Sequence, residues 1–283
     1  MKRLSTILLL LPFTLQAQET SLNNLLTPSQ PGFVILDKSP ASIEKPTSPK
    51  TLGISVLRLL EENGGGLDFS PYWFGNHPNL TFEKYMNNRF PVLQTLNVSV
   101  AAAAGDTSSY MSAGLRTQLF RYYRASELGE IARIKADIVA ALSDDPDNID
   151  LDKIKELKNE LSELTSKTTV NIELAAAMAG FSPDNKFGNL GNNRYGAWLN
   201  MAYRPIAKAP LHLMGVVRYT KAIDPLGVGR DSSLFDYGLA MSYQQAKFDV
   251  QLEFVNRNDV QNGGIRIDWR WWGIIWWRII LWW

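Results

Sequence analysis

The sequence predicts an all-β fold: a transmembrane antiparallel β-barrel of about 8–10 strands with an inserted α-helical hairpin. Three observations predict it. From residue 67 onward, apolar and polar residues alternate with period two in runs mostly about ten to thirteen residues long. Ordinary sheet strands average about 5–6 residues, whereas a tilted membrane strand needs roughly 9–11. Tyr, Trp and Phe recur near the ends of these runs, at Trp73, Phe74, Tyr110, Tyr195, Tyr203, Tyr219 and Tyr243, where rings would sit at headgroup level. The chain also begins with the features of an export leader. A soluble β-sandwich alternates its faces in the same way, but strand length, leader and aromatic ends together favour the barrel.

Residues 1–17 read as a secretory signal peptide: Met1-Lys2-Arg3 is a basic start, 4–15 an apolar run rich in Leu, and Ala17 a small residue at the cleavage point. The run is short for a membrane helix and Pro12 interrupts it; a buried N-terminal helix is the other reading. Residues 18–66 follow as a Pro-rich arm and a short helix. Pro28, Pro31, Pro40, Pro46 and Pro49 suppress any regular period, so the arm reads as an extended strap. In 51–62, Leu52, Val56, Leu57 and Leu60 share a helical face, ended by Gly64-Gly65-Gly66. A first strand is the alternative, since Leu52, Ile54 and Val56 also alternate with Gly53 and Ser55.

The barrel is expected over 67–272, in nine strands. Five are clear, within 169–181, 195–204, 211–220, 235–244 and 248–255, and weaker runs cover 67–74, 96–104, 111–120 and 265–272. The segment 121–168 breaks the pattern. Leu128, Ile131, Ile138 and Leu142 mark one helix, and Leu151, Ile154, Leu157, Leu161 and Leu164 a second with a narrow apolar seam. The turn 144–150 between them is strongly acidic. With eleven acidic against six basic residues in 125–168, this hairpin cannot lie in lipid and must project from one mouth. The tail, 273–283, belongs to a stretch from Trp269 that holds seven of the nine tryptophans and no acidic residue. It reads either as an aromatic interface anchor or as a shifted reading frame that replaces the closing strands.

Composition excludes several chemistries. Lys+Arg 29 against Asp+Glu 28 leaves a net charge of +1, without the basic excess of a nucleic-acid binder. The absence of cysteine removes thiol nucleophiles, disulfides and thiolate metal sites. The two histidines, His77 and His212, leave little room for His-rich metal sites, and neither a nucleophile elbow nor a zinc-protease motif is present. His77 lies on a loop beside Pro78 with no nameable partner, a position that suits structure better than catalysis. The 144–152 stretch lacks the Gly and Glu of a calcium loop. No catalytic residue, cofactor or metal is therefore expected.

The polar face of the strands gives a lumen charge network of Asp68, Glu173, Asp236, Asp249, Glu253 and Asp268 against Arg116, Arg204, Arg218, Arg257, Arg266 and Arg270. Balanced signs predict mutual pairing rather than a selective pore, because a barrel this narrow is mostly filled by side chains. An export leader, a Pro-rich arm, Pro71-Tyr72-Trp73 closing a first strand and His77-Pro78-Asn79-Leu80-Thr81 before a series of membrane-length strands resemble an uncharacterised family of bacterial outer-membrane barrel proteins, over roughly residues 25–268. The resemblance implies outer-membrane residence and no assigned reaction; the tryptophan-rich end departs from it. The functional expectation is a non-enzymatic, porin-like outer-membrane barrel of structural, adhesive or narrow-transport role. It contacts outer-membrane lipid, and the 121–168 hairpin is available to an envelope protein. A rim-active membrane hydrolase and a secreted soluble β-sandwich that binds a ligand are the alternatives. The hairpin is expected on the extracellular side, or in the periplasm if 51–60 is a strand.

Overall fold

Long alternating segments pair with their sequence neighbours to build one 11-stranded sheet in strictly sequential order. The computed structural model describes residues 26–36, 42–61, 64–104, 109–143, 151–166, 168–182, 191–206, 211–223, 232–244, 248–257, 260–271 and 274–282. The proposed signal peptide and the acidic turn 144–150 lie outside the described residues. A two-residue strand, β1 (Ile43–Glu44), adds in parallel to β2 (Gly64–Phe69). From β2 every pairing is antiparallel: β3 (Asn97–Ala104), β4 (Ser109–Tyr122), β5 (Val170–Ser182), β6 (Gly191–Tyr203), β7 (Leu211–Ala222), β8 (Ser232–Gln244), β9 (Phe248–Arg257), β10 (Val260–Trp271) and β11 (Ile274–Trp282). Among the described residues no pairing joins β11 back to β1 or β2.

Several sequence expectations shift. The first long strand ends at Phe69, because Pro71 supplies no N–H for a ladder and opens a 3-10 turn, Pro71–Phe74. The helix stops at Glu61, before the glycine run, and Gly64, Gly65 and Gly66 form the start of β2, opposite Ala103, Ala102 and Ala101. The 51–62 ambiguity resolves as helix α2, Pro49–Glu61. Its Leu52 and Leu59 cover Leu67, Val100 and Ala102 on one face of β2–β3. The tail beyond residue 273 is not left apart: β11 pairs with β10 in continuous register except for a shift at Trp269/Arg270.

Residues 26–36 of the Pro-rich arm lie against the other face of the sheet. There α1 (Pro31–Val34) is opened by Pro31, whose fixed φ suits a first helical position. Phe33, Ile35 and Leu36 pack with Ala101, Ala175, Ala177, Ala179 and Trp198. The approach is close enough that a Cβ on Gly114 would fall on the backbone of Pro31 and Gly32, and only glycine permits such contact. At one side of this segment Gln30 bonds Asp68 on β2; at the other Leu26 packs on the Val216, Ala240 and Val255 cluster of β7, β8 and β9. Residues 26–30 thus bridge β2 and the β7–β9 cluster across one face of the sheet, called the inner face below.

The helical hairpin is α4 (Ala125–Ser143) and α5 (Leu151–Ser166), between β4 and β5. Because β4 and β5 pair up to Tyr122 opposite Val170, the hairpin follows on from the end of that strand pair. Its base is a core of Tyr123, Leu128, Ile131, Leu161 and Leu164 closed by Met86, Phe82 and Tyr85 of α3 (Phe82–Asn87). Thr81 caps α3 by accepting from the Lys84 N–H at 3.2 Å. The far end of the expected apolar seam is solvent-facing, with Leu142 and Leu151 exposed.

Candidate functional site: the charge-paired inner face

Strand alternation places the chemistry. Along β5, Glu173, Ala175, Ala177 and Ala179 are buried while Leu174 and Met178 are exposed; along β8, Asp236 and Ala240 are buried while Phe235, Tyr237, Leu239 and Met241 are exposed. The same holds for exposed Leu199, Met201 and Tyr203 on β6, Leu213, Val217 and Tyr219 on β7 and Phe254 on β9. Small and polar residues thus share the covered face of the sheet, and large apolar side chains share the exposed one. A groove of about 690 Å³ on the apolar side, between Met201, Leu213, Leu239, Met241 and Phe254, is shaped by the missing side chain of Gly215.

The expected charge network forms in part. Arg218 and Asp236 are directly opposed in register, and the Arg218 Nε and Nη2 donate to Asp236 Oδ2 at 2.9 and 2.5 Å, with Asp236 0% exposed. A carboxylate stripped of water is tolerable only with such charge-assisted bonds. Arg116 Nη2 reaches Glu173 Oε2 at 2.9 Å, and Asn171 donates to the other carboxylate oxygen at 3.0 Å. Asp68 is held by Gln30 of the N-terminal segment at 2.8 Å and lies 4.0 Å from Lys45. Glu253 accepts from Gln251. Arg257 lines a pocket at the mouth opposite the hairpin. The backbones of Asp249, Arg266, Asp268 and Arg270 run in β9 and β10, with Asp268 opposite Asp249; their side chains lie outside the described residues.

Arg204 does not join the inner face. It sits one residue beyond β6 and binds Glu127 Oε1 at 2.5 Å, at the root of the hairpin. Glu127 is the junction there: its Oε2 accepts the Arg124 N–H at 2.9 Å and the Thr169 hydroxyl at 2.7 Å. The first of these is the back-reach of a capping box, and the others tie α4 to the start of β5 and the end of β6. Arg121, buried beside it, lies 4.2 Å over the Tyr85 ring and donates to the carbonyls of Tyr85 and Asn88. The Tyr123 hydroxyl donates to the Thr165 carbonyl at 2.6 Å, and burial pushes its pKa above the ordinary phenol value. On the hairpin surface the hydrogen bond from Arg133 lowers the Glu130 carboxyl.

His77 stacks on Tyr72, with ring centroids 3.9 Å apart, and its Nε2 donates to the Tyr72 carbonyl at 2.6 Å. The imidazole thus pins its own loop. Sequence reasoning missed the N-terminal segment and Glu127. The first had a readable signal: Ser99, Ala101, Ser112, Gly114, Ala175, Ala177 and Ala179 are all small and share the inner face, which leaves room for another element. Glu127 carried only the local spacing from Arg124. No family model matches the chain, and neither the curated proteins nor the solved structures contain a match.

Proposed function

We propose that the chain is a bacterial outer-membrane β-barrel of structural or adhesive duty, whose interior is filled by charge pairs and by its own N-terminal segment. One observation carries the reading: the exposed face of β5–β9 is a continuous field of Leu, Met, Val, Phe and Tyr, while the enclosed face holds Glu173, Asp236, Arg218 and Gln251. Water does not reward such an arrangement, since soluble monomers rarely expose contiguous apolar patches above a few hundred Å². Lipid does reward it. Strands β4–β10 are 10 to 14 residues long, enough to cross the hydrocarbon when tilted. The ten antiparallel strands β2–β11 form an even set, which returns the chain to its starting side, as bacterial barrels do. The segment 26–36 on the inner face favours a filled barrel over an open diffusion channel.

With an exported N-terminus, β2 runs outward and the hairpin stands at the extracellular mouth, where it is free to meet a surface partner. The helical state of α2 removes the extra strand that would have reversed this placement. A heat-modifiability gel on outer-membrane fractions tests the barrel: unheated protein should migrate faster than boiled protein. Identical mobility, with the protein in the soluble periplasmic fraction, would overturn the reading.

A further inference from the structure

Between β2 and β3 the chain makes an excursion whose last part, residues 88–96, returns to β4 at its hairpin end. The Arg121 N–H donates to the Arg89 carbonyl at 2.9 Å, and the Thr117 hydroxyl donates to the Val92 carbonyl at 2.5 Å. Thr117 pairs with exposed Leu174, and Phe120 with Ile172 on the same face. The Phe90 ring meets the Phe120 ring edge to face, with centroids 5.4 Å apart. The segment therefore lies against the apolar side of the sheet. Its large side chains turn away from the protein, with Phe90 68% and Leu93 66% exposed. Its carbonyls turn inward. That of Pro91 accepts from both the N–H and the hydroxyl of Thr95 at 2.9 Å. Those of Leu93 and Gln94 accept from the Leu96 N–H at 3.4 Å and the Trp73 indole at 3.0 Å. A loop bathed in water gains nothing from exposing Phe and Leu while satisfying its backbone internally. A loop pressed against lipid must do so.

We propose that residues 88–96 are a membrane-interface anchor, seated in the lipid headgroup layer at the hairpin mouth with Phe90 and Leu93 directed toward the acyl chains. The inference rests on the barrel reading and adds a lipid-binding element outside the strands. Continuity fixes the occupant: exposed Leu115 lies on the same face of β4, two residues before Thr117. Backbone geometry fixes the depth, because irregular chain exposed to lipid does not occur within the hydrocarbon and is left with the interface. The neighbouring rings agree. Tyr122 and Tyr203, both exposed, flank Val170 in one register row at this end of the sheet, and aromatic rings at strand ends favour the headgroup level. The exposed Arg89 guanidinium lies 5.4 Å from the Tyr122 ring centroid, a long cationic side chain of the kind that reaches lipid phosphates from an apolar base.

The chain has no cysteine, so single cysteines report position without background. Spin labels at Phe90→Cys and Leu93→Cys are compared with labels at Leu115→Cys, in the middle of β4, and Glu156→Cys on α5. The full chain is folded into phosphatidylcholine vesicles, and collision rates with oxygen, which concentrates in lipid, and with a water-soluble nickel chelate give each depth. Nickel collisions at positions 90 and 93 should be several-fold rarer than at 156, with oxygen-to-nickel ratios between those of 156 and 115. Should Phe90→Cys not fold for want of its contact with Phe120, Leu93→Cys carries the test alone. Nickel access at position 93 equal to that at 156, with position 115 in hydrocarbon, overturns the anchor and leaves the barrel standing. A ratio at 93 equal to that at 115 overturns the interfacial depth. Free nickel access at 115 overturns the barrel reading and the anchor with it.

Discussion

Leu239→Arg separates a membrane-facing surface from a solvent-facing one more sharply than any change inside the sheet. Leu239 lies at the middle of β8, is 63% exposed, and sits between Gly215 on β7 and Phe254 on β9. In water, an exposed side chain away from caps and networks tolerates replacement within about 0.5 kcal/mol. At the midplane of a bilayer, Arg on the lipid face of a barrel costs about 2–4 kcal/mol, whereas near the interface the cost falls to about 0–1. A loss of 2–4 kcal/mol lowers the folded-to-unfolded ratio by roughly 30- to 1,000-fold. Phe235→Arg, 57% exposed but four residues nearer the end of β8, is the matched control. Guanidinium titrations of both variants folded into phosphatidylcholine vesicles, followed by tryptophan fluorescence, give the two values. The expected result is a large loss for Leu239→Arg and a small one for Phe235→Arg. Equal and negligible effects would refute the assignment of this face to lipid.

Other perturbations test the interior and the hairpin. Asp236→Ala strands the Arg218 guanidinium without its buried partner and should cost about 3–5 kcal/mol in the same titration, with much of it recovered in the Asp236→Ala/Arg218→Met double variant. Gly114→Leu collides with Pro31 and Gly32 and should unseat residues 26–36, read as larger and more frequent conductance steps in planar bilayers than wild type gives. Glu127→Gln weakens the bonds from Arg204 and Arg124; limited proteolysis should then cut at the root of α4 faster while strand content is unchanged. Burial raises the Tyr123 pKa in the folded chain, so its contribution to hairpin docking is constant below the unfolded phenol value near 10 and declines as pH rises beyond it. Protease protection of the hairpin between pH 8 and 11 should show that loss, and Tyr123→Phe should remove it.

Period-two alternation was enough to identify the strands and to sort their faces, because a strand offers only two sides and the same apolar residues mark the outward one throughout: Leu174 and Met178 on β5, Tyr237 and Leu239 on β8. The charge pairs were legible to the same depth. Arg218 and Asp236 could be assigned to one face, but their direct opposition depends on the β7–β8 register, which the sequence does not specify. Arg204 shows where alternation stops being informative: one residue past the strand, its guanidinium answers to the capping carboxylate of a helix rather than to the sheet. The N-terminal segment was the largest omission. Short apolar stretches such as Phe33–Leu36 have no period to read, and their position is set by long-range fit to small residues far away in the chain. The strand at the Trp-rich end went unread for the opposite reason. Its uniform apolarity hides alternation, so pairing with β10, and not pattern, makes it a strand.

The distribution of residue size around the inner face explains why the chain needs both charge pairs and an internal segment. The proposed barrel, if closed by ten strands, would be wider than the eight-stranded interior that side chains just fill. On β3–β5 the inner residues are Ser99, Ala101, Ser112, Gly114, Ala175, Ala177 and Ala179, too small to meet across that space. Phe33, Ile35 and Leu36 fill this half. On β6–β9 the inner residues include Trp198, Arg218, Asp236 and Glu253, large enough to occupy their own half. Gln30 and Arg194 bind the two solutions together, one joining the segment to Asp68 and the other to the Ile35 carbonyl. The segment lies N-terminal to every strand, so it is synthesised before the sheet can form. A chain lacking residues 26–36 should therefore lose more than a lid. The small-residue half would face water or collapse, and Asp68 would lose its Gln30 donor.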